Sequence, residues 1–335
     1  MRCGPASPAS GCNWWPQRIN SRLTSKQLTF FDLQSGTLTQ LKPVTDISIG
    51  KNMDKHATRR IAKIPVLGWT ILAAFRAKIA LGYLHAPLLN FSRWLLTSRE
   101  TTNFTYDLEE HNRLYLASML SDILNVNFST IETYITEIES NDRLKRHIAD
   151  MTANSDLAFM ADAQVRFGRR IGWYATARAL KPRVIVETGV DKGLGSCILT
   201  AALRKNKEEG FDGKYYGTDI NPEAGYLLRG DYAELGRILY GDSLQSLAKL
   251  EDEIDMFIND SDHSAEYEYQ EYLTVFDKLS SHAIVLGDNS HCSDSLLKFS
   301  LETGRHFIFF QEKPLRHWYP GAGIGISFNR SSTRA

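Results

Sequence analysis

One stretch decides the fold: Val184-Ile185-Val186-Glu187-Thr188-Gly189-Val190-Asp191-Lys192-Gly193-Leu194-Gly195-Ser196. A short β-branched run ends in an acid, three glycines follow, and a helical apolar pattern begins near Gly195. Such a turn brings backbone close to a ligand, and the helix N-terminus behind it favours negative charge. The glycine spacing is neither G-x-G-x-x-G nor a Walker motif, and no Lys-Ser/Thr pair follows. That argues against a P-loop nucleotidase.

Working outward, short apolar runs recur at 184–186, 214–217, 237–240, 256–258, 283–286, 307–310 and 323–328, with helical stretches between them. Strand alternating with helix predicts an α/β fold with an open parallel sheet covered on both faces. Ligands then bind beyond the carboxyl ends of the strands. The polar residues cluster there. Glu187 ends the first run, Asp219 the second and Asp242 the third. Asp219 is placed to accept both hydroxyls of a ribose, or simply to cap the next helix. Asp242 is placed to meet an adenine amino group, or to serve as an N-cap.

The fourth run leads into Asp260-Ser261-Asp262-His263 and the fifth into Asp288-Asn289. Neighbouring strands lie about 4.8 Å apart, so Asp260 and the Asp288-Asn289 pair can converge. Two carboxylates and an amide oxygen suit Mg²⁺, Ca²⁺ or Mn²⁺. The plainer reading is that they cap helices and hydrogen-bond substrate.

The set Glu187-x-Gly189-x-x-x-Gly193, Asp219, Gly241-Asp242 and Asp260-x-Asp262-His263 resembles the class I S-adenosylmethionine-dependent methyltransferases, over about residues 165–330. The nearest subgroup has a D-x-D-H-S turn and acts on small molecules. The resemblance implies a Rossmann-like seven-stranded methyltransferase sheet with the last strand antiparallel. It implies that Gly189 and Gly193, with Gly195 and Glu187 beside them, line the methionine part of the cofactor. Asp219 would hold the ribose and Asp242 the adenine. Asp255-Met256-Phe257-Ile258-Asn259-Asp260 followed by Asp288-Asn289 is similar to catechol and caffeoyl-CoA O-methyltransferases. There the matching Asp, Asp and Asn bind a divalent cation, so Asp260, Asp288 and Asn289 are the expected ligands of Mg²⁺. The lysine base of those families is replaced here by His263, whose ordinary pKa near 6.5 suits it to take a proton.

Two segments outside this set bear on the pocket. Residues 99–108, polar and aromatic, read as a lid over the site or as a linker that caps the next helix. Arg316-His317-Trp318-Tyr319 reads as a packed aromatic corner in preference to an acceptor contact. His291 follows the fifth run closely enough to line the pocket.

The first 60 residues differ from the rest. They hold nine Lys/Arg against three acids, so a chain with 39 bases and 39 acids divides into a +6 leader and a −6 remainder. The leader has no apolar h-region; a disordered tail or an over-extended gene model is preferred to a transit peptide. Residues 64–97 are apolar with scattered bases. They read as an amphipathic helix making peripheral membrane contact, or as a helix packed on the domain or on a second subunit. The packed reading is preferred, because Pro87 is expected to break the segment. Residues 107–180 read as helices: one opened by Asp107, one with a capping box at Ser129-Thr130-Ile131-Glu132 running to about Glu139, then 141–160 and 163–180. Lys181-Pro182 stops the last. The expected divisions are a leader at 1–60, a helical region at 61–162, the methyltransferase domain at 163–330 and a tail.

Composition narrows the partners. At 335 residues and 43% hydrophobic the chain can bury a core without staples. No run of 18 uncharged apolar residues exists, so no transmembrane segment is expected. Four cysteines, no two of them in a C-x-x-C pair, argue against disulfides and structural zinc, and point to a reducing, cytoplasmic setting. The catalytic half has no basic stripe, so nucleic acid is not an expected partner. The leading expectation is methyl transfer to an oxygen of a small molecule (a sugar, phenol or natural product), metal-assisted, with a homo-oligomer open through the helical region. The alternatives are a non-catalytic cofactor-binding scaffold and, behind it, a nicotinamide-dependent dehydrogenase.

Overall fold

The computed structural model describes residues 67–101, 104–262, 264–288 and 290–329, with the backbone of two short antiparallel strands at Phe30–Phe31 and Leu38–Thr39. Expectations for the rest of the leader, for the tail and for His263 and Asn289 lie outside the described residues. The chain divides at Phe75/Arg76, and the sheet belongs to the larger unit.

Seven strands form that sheet: β1 Val184–Thr188, β2 Lys214–Asp219, β3 Gly236–Tyr240, β4 Ile254–Asn259, β5 Leu279–Gly287, β6 His306–Gln311 and β7 Gly323–Phe328. Their order is β3-β2-β1-β4-β5-β7-β6. The first five pair in parallel, and β7 runs antiparallel between β5 and β6. This is the Rossmann-like sheet with an antiparallel last strand that the resemblance implied. All seven apolar runs are strands in it.

Side-chain alternation explains why both faces are covered. Ile185, Met256, Ile258, Ile284 and Leu286 enter one apolar cluster. Their neighbours Val184, Val186, Phe257 and Val285 enter the other. The first face carries α2 Glu110–Leu124, α3 Phe128–Glu139, α4 Asp142–Ala153, α5 Arg170–Leu180 and α6 Leu194–Glu208. The second carries α7 Ser243–Lys249, α8 Ala265–Phe276 and α9 Ser295–Glu302. α3 shows the logic: Ile131, Ile135 and Ile138 recur at helical spacing and are fully buried. Each contributes about 1.5–3 kcal/mol of transfer free energy.

Three local expectations are corrected. Helix α1, Leu67–Thr97, is continuous through Pro87. A proline removes one hydrogen bond and crowds the preceding turn, which strains a helix without ending it. The capping box is absent: Ser129 and Glu132 lie inside α3, whose N-cap is Asn127. The stretch 141–160 is helical only through α4 and a single 3-10 turn at Ala158–Met160, and 163–180 only from Arg170. Lys181 does close α5, in the left-handed conformation.

Candidate active site

A cavity of about 1250 Å³ opens beyond the carboxyl ends of β1, β2, β3, β4 and β5. Glu187, Gly189, Gly195, Asp219, Asp242, Asp260, Asp262, Asp288 and His291 all line it. The segment before α2 supplies Arg99, Glu100, Phe104 and Tyr106 to its wall. Gly193 is not part of the lining. It is the N-cap of α6, with φ +94, and its Cα side faces the backbone of Gly225. Its role is to turn the chain and let the next loop pass.

Gly189 is where the sequence has least freedom. Its φ is +77, and a Cβ there would sit 1.9 Å from the carbonyl oxygen of Asp260. The first glycine of the turn thus lets the loops after β1 and β4 touch, while Asp260 N donates to the carbonyl of Thr188 at 2.9 Å. Glu187 is buried beneath them and accepts hydrogen bonds from Tyr215 and Ser196. Burial pushes its carboxyl up to about 7, against the lowering effect of the Tyr215 hydroxyl and the Arg170 charge. A Cβ on Gly195 would strike Glu187 Oε1.

Asp219 is held from two sides, with Oδ2 accepting from Asp191 N and Oδ1 from Asn221 N, both at 2.8 Å. Each oxygen carries a second lone pair, and Asp219 lines the cavity. Asp242 is the N-cap of α7: Oδ1 accepts from Gln245 N at 2.9 Å, and Oδ2 accepts from Tyr267 Oη at 3.1 Å. Below them Glu271 accepts from Thr188, Asn259 and Ser261 at 3.1, 2.5 and 2.6 Å. This buried carboxylate ties the end of β1 to the end of β4 and the turn after it.

The acidic pair after β4 and β5 is brought together, as expected. It is closed by arginine. Arg169, at the N-cap of α5, places Nε 2.5 Å from Asp288 Oδ1 and Nη2 on Asp288 Oδ2. Its Nη1 reaches Glu312 Oε1 at 3.2 Å, and that oxygen also accepts from Tyr106 Oη at 2.6 Å. Arg170 Nη2 lies 3.4 Å from Asp260 Oδ2, and its guanidinium stacks 5.0 Å from Trp173. Burial alone would raise Asp288, but the charge and hydrogen bonds of Arg169 hold its carboxyl at about 2. Asp260 is pushed far up, by burial and then by the Asp288 charge beside it.

The divalent cation implied by the resemblance therefore does not fit the residues present. Both oxygens of Asp288 already hold a guanidinium, and a second guanidinium faces Asp260. Asn289 lies outside the described residues. Among the described residues no group of three or more His, Cys, Asp or Glu is disposed to hold a metal ion. Arg169, Arg170, Glu312 and Glu271 were not singled out from the sequence. Each has a partner distant in the chain, Asp288 for Arg169 at 119 residues, Asp260 for Arg170 at 90, Arg169 for Glu312 at 143 and Thr188 for Glu271 at 83, and no short motif carries such pairings.

The 316–319 segment forms an aromatic corner. His317 packs against Phe104, Tyr106 and Trp318 with ring centroids 5.3–5.8 Å apart. Its Nδ1 accepts from Tyr319 N at 3.0 Å, and only Tyr319 of this segment reaches the cavity wall.

Residues 186–290, from β1 to the turn after β5, match the family model described as a methyltransferase domain. No curated protein matches the chain. Solved structures similar to it include the SAH-bound methyltransferase PaMTH1 of Podospora anserina, 18% identical over 61% of this chain and 97% of that one, with a TM-score of 0.42. The O-methyltransferase TomG of Streptomyces achromogenes, solved in complex with SAM, is 17% identical over 57% and 92%, TM-score 0.42. A methyltransferase from Geobacter sulfurreducens is 16% identical over 55% and 90%, also at 0.42.

Proposed function

We propose that this chain is an S-adenosylmethionine-dependent methyltransferase acting on an oxygen of a small molecule. The observation that carries the reading is the row of acids at successive strand ends, Glu187, Asp219, Asp242 and Asp260, on one cavity wall, inside the region that matches a methyltransferase domain. The residues fit the cofactor. Gly189 lines the cavity where the loops after β1 and β4 meet, Asp219 and Asp242 line it with carboxylates, and it has room for a nucleoside-sized group and an acceptor together.

When bound, the cofactor supplies a methyl group activated on a sulfonium. The chain's own residues do the rest. Asp219 would accept the ribose hydroxyls, and Asp242 the adenine amino group through Oδ2. Gly189 and Gly195 let the backbone approach the methionine end. Asp260 would position the acceptor hydroxyl, and the imidazole of His263 would take its proton. Proximity and removal of the acceptor proton are the two contributions an in-line displacement asks of a protein. Arg99, Glu100, Phe104, Tyr106 and Tyr319 line the same cavity and would wall the acceptor side against water. Arg169 and Arg170 already answer the charge of the acidic pair.

Incubation with methyl-labelled S-adenosylmethionine and a panel of phenols, sugars and hydroxylated natural products tests the reading. Label in an ether-linked methyl of one class supports it. Label found only on amines, or none with any acceptor, overturns the oxygen assignment.

A further inference from the structure

Residues 76–97 of helix α1 present a surface that the rest of the larger unit leaves bare. One side is docked: Asn90 Nδ2 donates to the carbonyl of His317 at 3.4 Å, and Trp94 packs on Phe104 and Trp318 at 5.7 and 5.2 Å. Phe91 also meets Trp318 edge-on at 6.1 Å; elsewhere between Arg76 and Thr97 the large apolar side chains face water. Leu96 is 82% exposed, Tyr83 81%, and Leu81, Leu84, Leu88 and Leu89 are each more than half exposed. The charge on this helix has one sign. Arg76, Lys78 and Arg93 lie on it and Arg99 just beyond, and no acid occurs between Asp54 and Glu100.

Three coverings come into question. No helix among the described residues is long and apolar enough to cross a membrane, which leaves a surface contact or a second copy to weigh. A second copy of the helix would cover one seam, Leu81-Leu84-Leu88-Phe91-Leu95, at the 3–4 spacing of helix pairs. It would leave Leu89 and Leu96 wet, and it would bring like cations together with no acid on α1 to answer them. An anionic bilayer surface meets both features. Its acyl boundary takes apolar side chains over a broad arc, its headgroups attract the bases, and long Arg and Lys side chains reach up to them.

We infer that residues 76–97 are a membrane-docking helix that lies on an anionic lipid surface. The inference stands apart from the methyl-transfer reading, because vesicle binding needs neither cofactor nor acceptor.

Co-sedimentation of the full chain with phosphatidylcholine vesicles, with and without phosphatidylglycerol, tests it. Leu88→Glu/Leu96→Glu alters two exposed side chains away from the docked side, and an unchanged circular dichroism spectrum and melting temperature show that it folds. The expected result is binding that requires phosphatidylglycerol, weakens in high salt and falls roughly a hundredfold in the double variant. Failure to bind phosphatidylglycerol vesicles overturns the inference. So does equal binding to both vesicle types, or binding that survives the two substitutions, which would place the contact elsewhere in the chain. A dimer that the same substitutions split, without vesicle binding, assigns the face to a second copy and overturns it as well. Should the variant not fold, the dependence of the wild type on phosphatidylglycerol decides.

Discussion

Arg169 grips Asp288 through two guanidinium nitrogens, and the pair sits at the floor of the cavity with Arg169 14% and Asp288 3% exposed at the side chain. A buried pair of this kind is costly to break from one side. Arg169→Ala leaves Asp288 and Glu312 without their cation and is expected to cost about 3–5 kcal/mol. Urea unfolding measures it. Arg169→Lys should recover only part of that, because an ammonium cannot reproduce the fork. A loss within experimental scatter for Arg169→Ala would mean that the pair is not formed.

The same contact predicts how the acidic pair meets metal ions. Titrating the chain into Mn²⁺ should leave the free-ion paramagnetic resonance signal unchanged by this site. A loss of signal that Asp288→Asn abolishes would show that a cation displaces Arg169.

Gly189→Ala places a methyl against the Asp260 carbonyl at a φ of +77. The backbone of one of the two loops must move. A cost of at least about 2 kcal/mol is expected, together with loss of S-adenosylhomocysteine binding. A variant with wild-type stability and affinity would refute the close approach.

Glu187 makes stability depend on pH. Its folded pKa, about 7, lies above the ordinary glutamate value of 4.5, because burial disfavours the charged form. The folded state therefore holds the proton more tightly, and stability falls as pH rises from about 4.5 to about 7, then levels off. Glu187→Gln lacks this slope. Its melting temperature should gain on the wild type across that window, and the difference should be constant above it. Parallel curves would contradict the assignment.

The sheet was legible because its residues alternate: Val184-Ile185-Val186 and Met256-Phe257-Ile258 each feed two different cores, and the ends of the five parallel strands are each marked by a Gly or an acid. Asp219, Asp242 and Asp260 were legible for the same reason, since a parallel sheet puts ligands at those ends. Arg169 was not legible. It stands at the start of a helix, where a basic residue reads as surface, and only the packing of α5 on the sheet brings it to Asp288. Pro87 was misread because a local rule about proline was applied where the flanking turns hold the helix. Ser129 was misread because Asn127, two residues earlier, already begins α3.

On the proposed function, this wall of acids and glycines binds S-adenosylmethionine. Calorimetric titration of the full chain with S-adenosylhomocysteine, beside NADH, tests it most directly. One S-adenosylhomocysteine site per chain is expected, with no comparable affinity for NADH and weakening by about tenfold or more in Asp219→Ala, roughly 1.4 kcal/mol or above. Preference for NADH, or an affinity unchanged in Asp219→Ala, would contradict it.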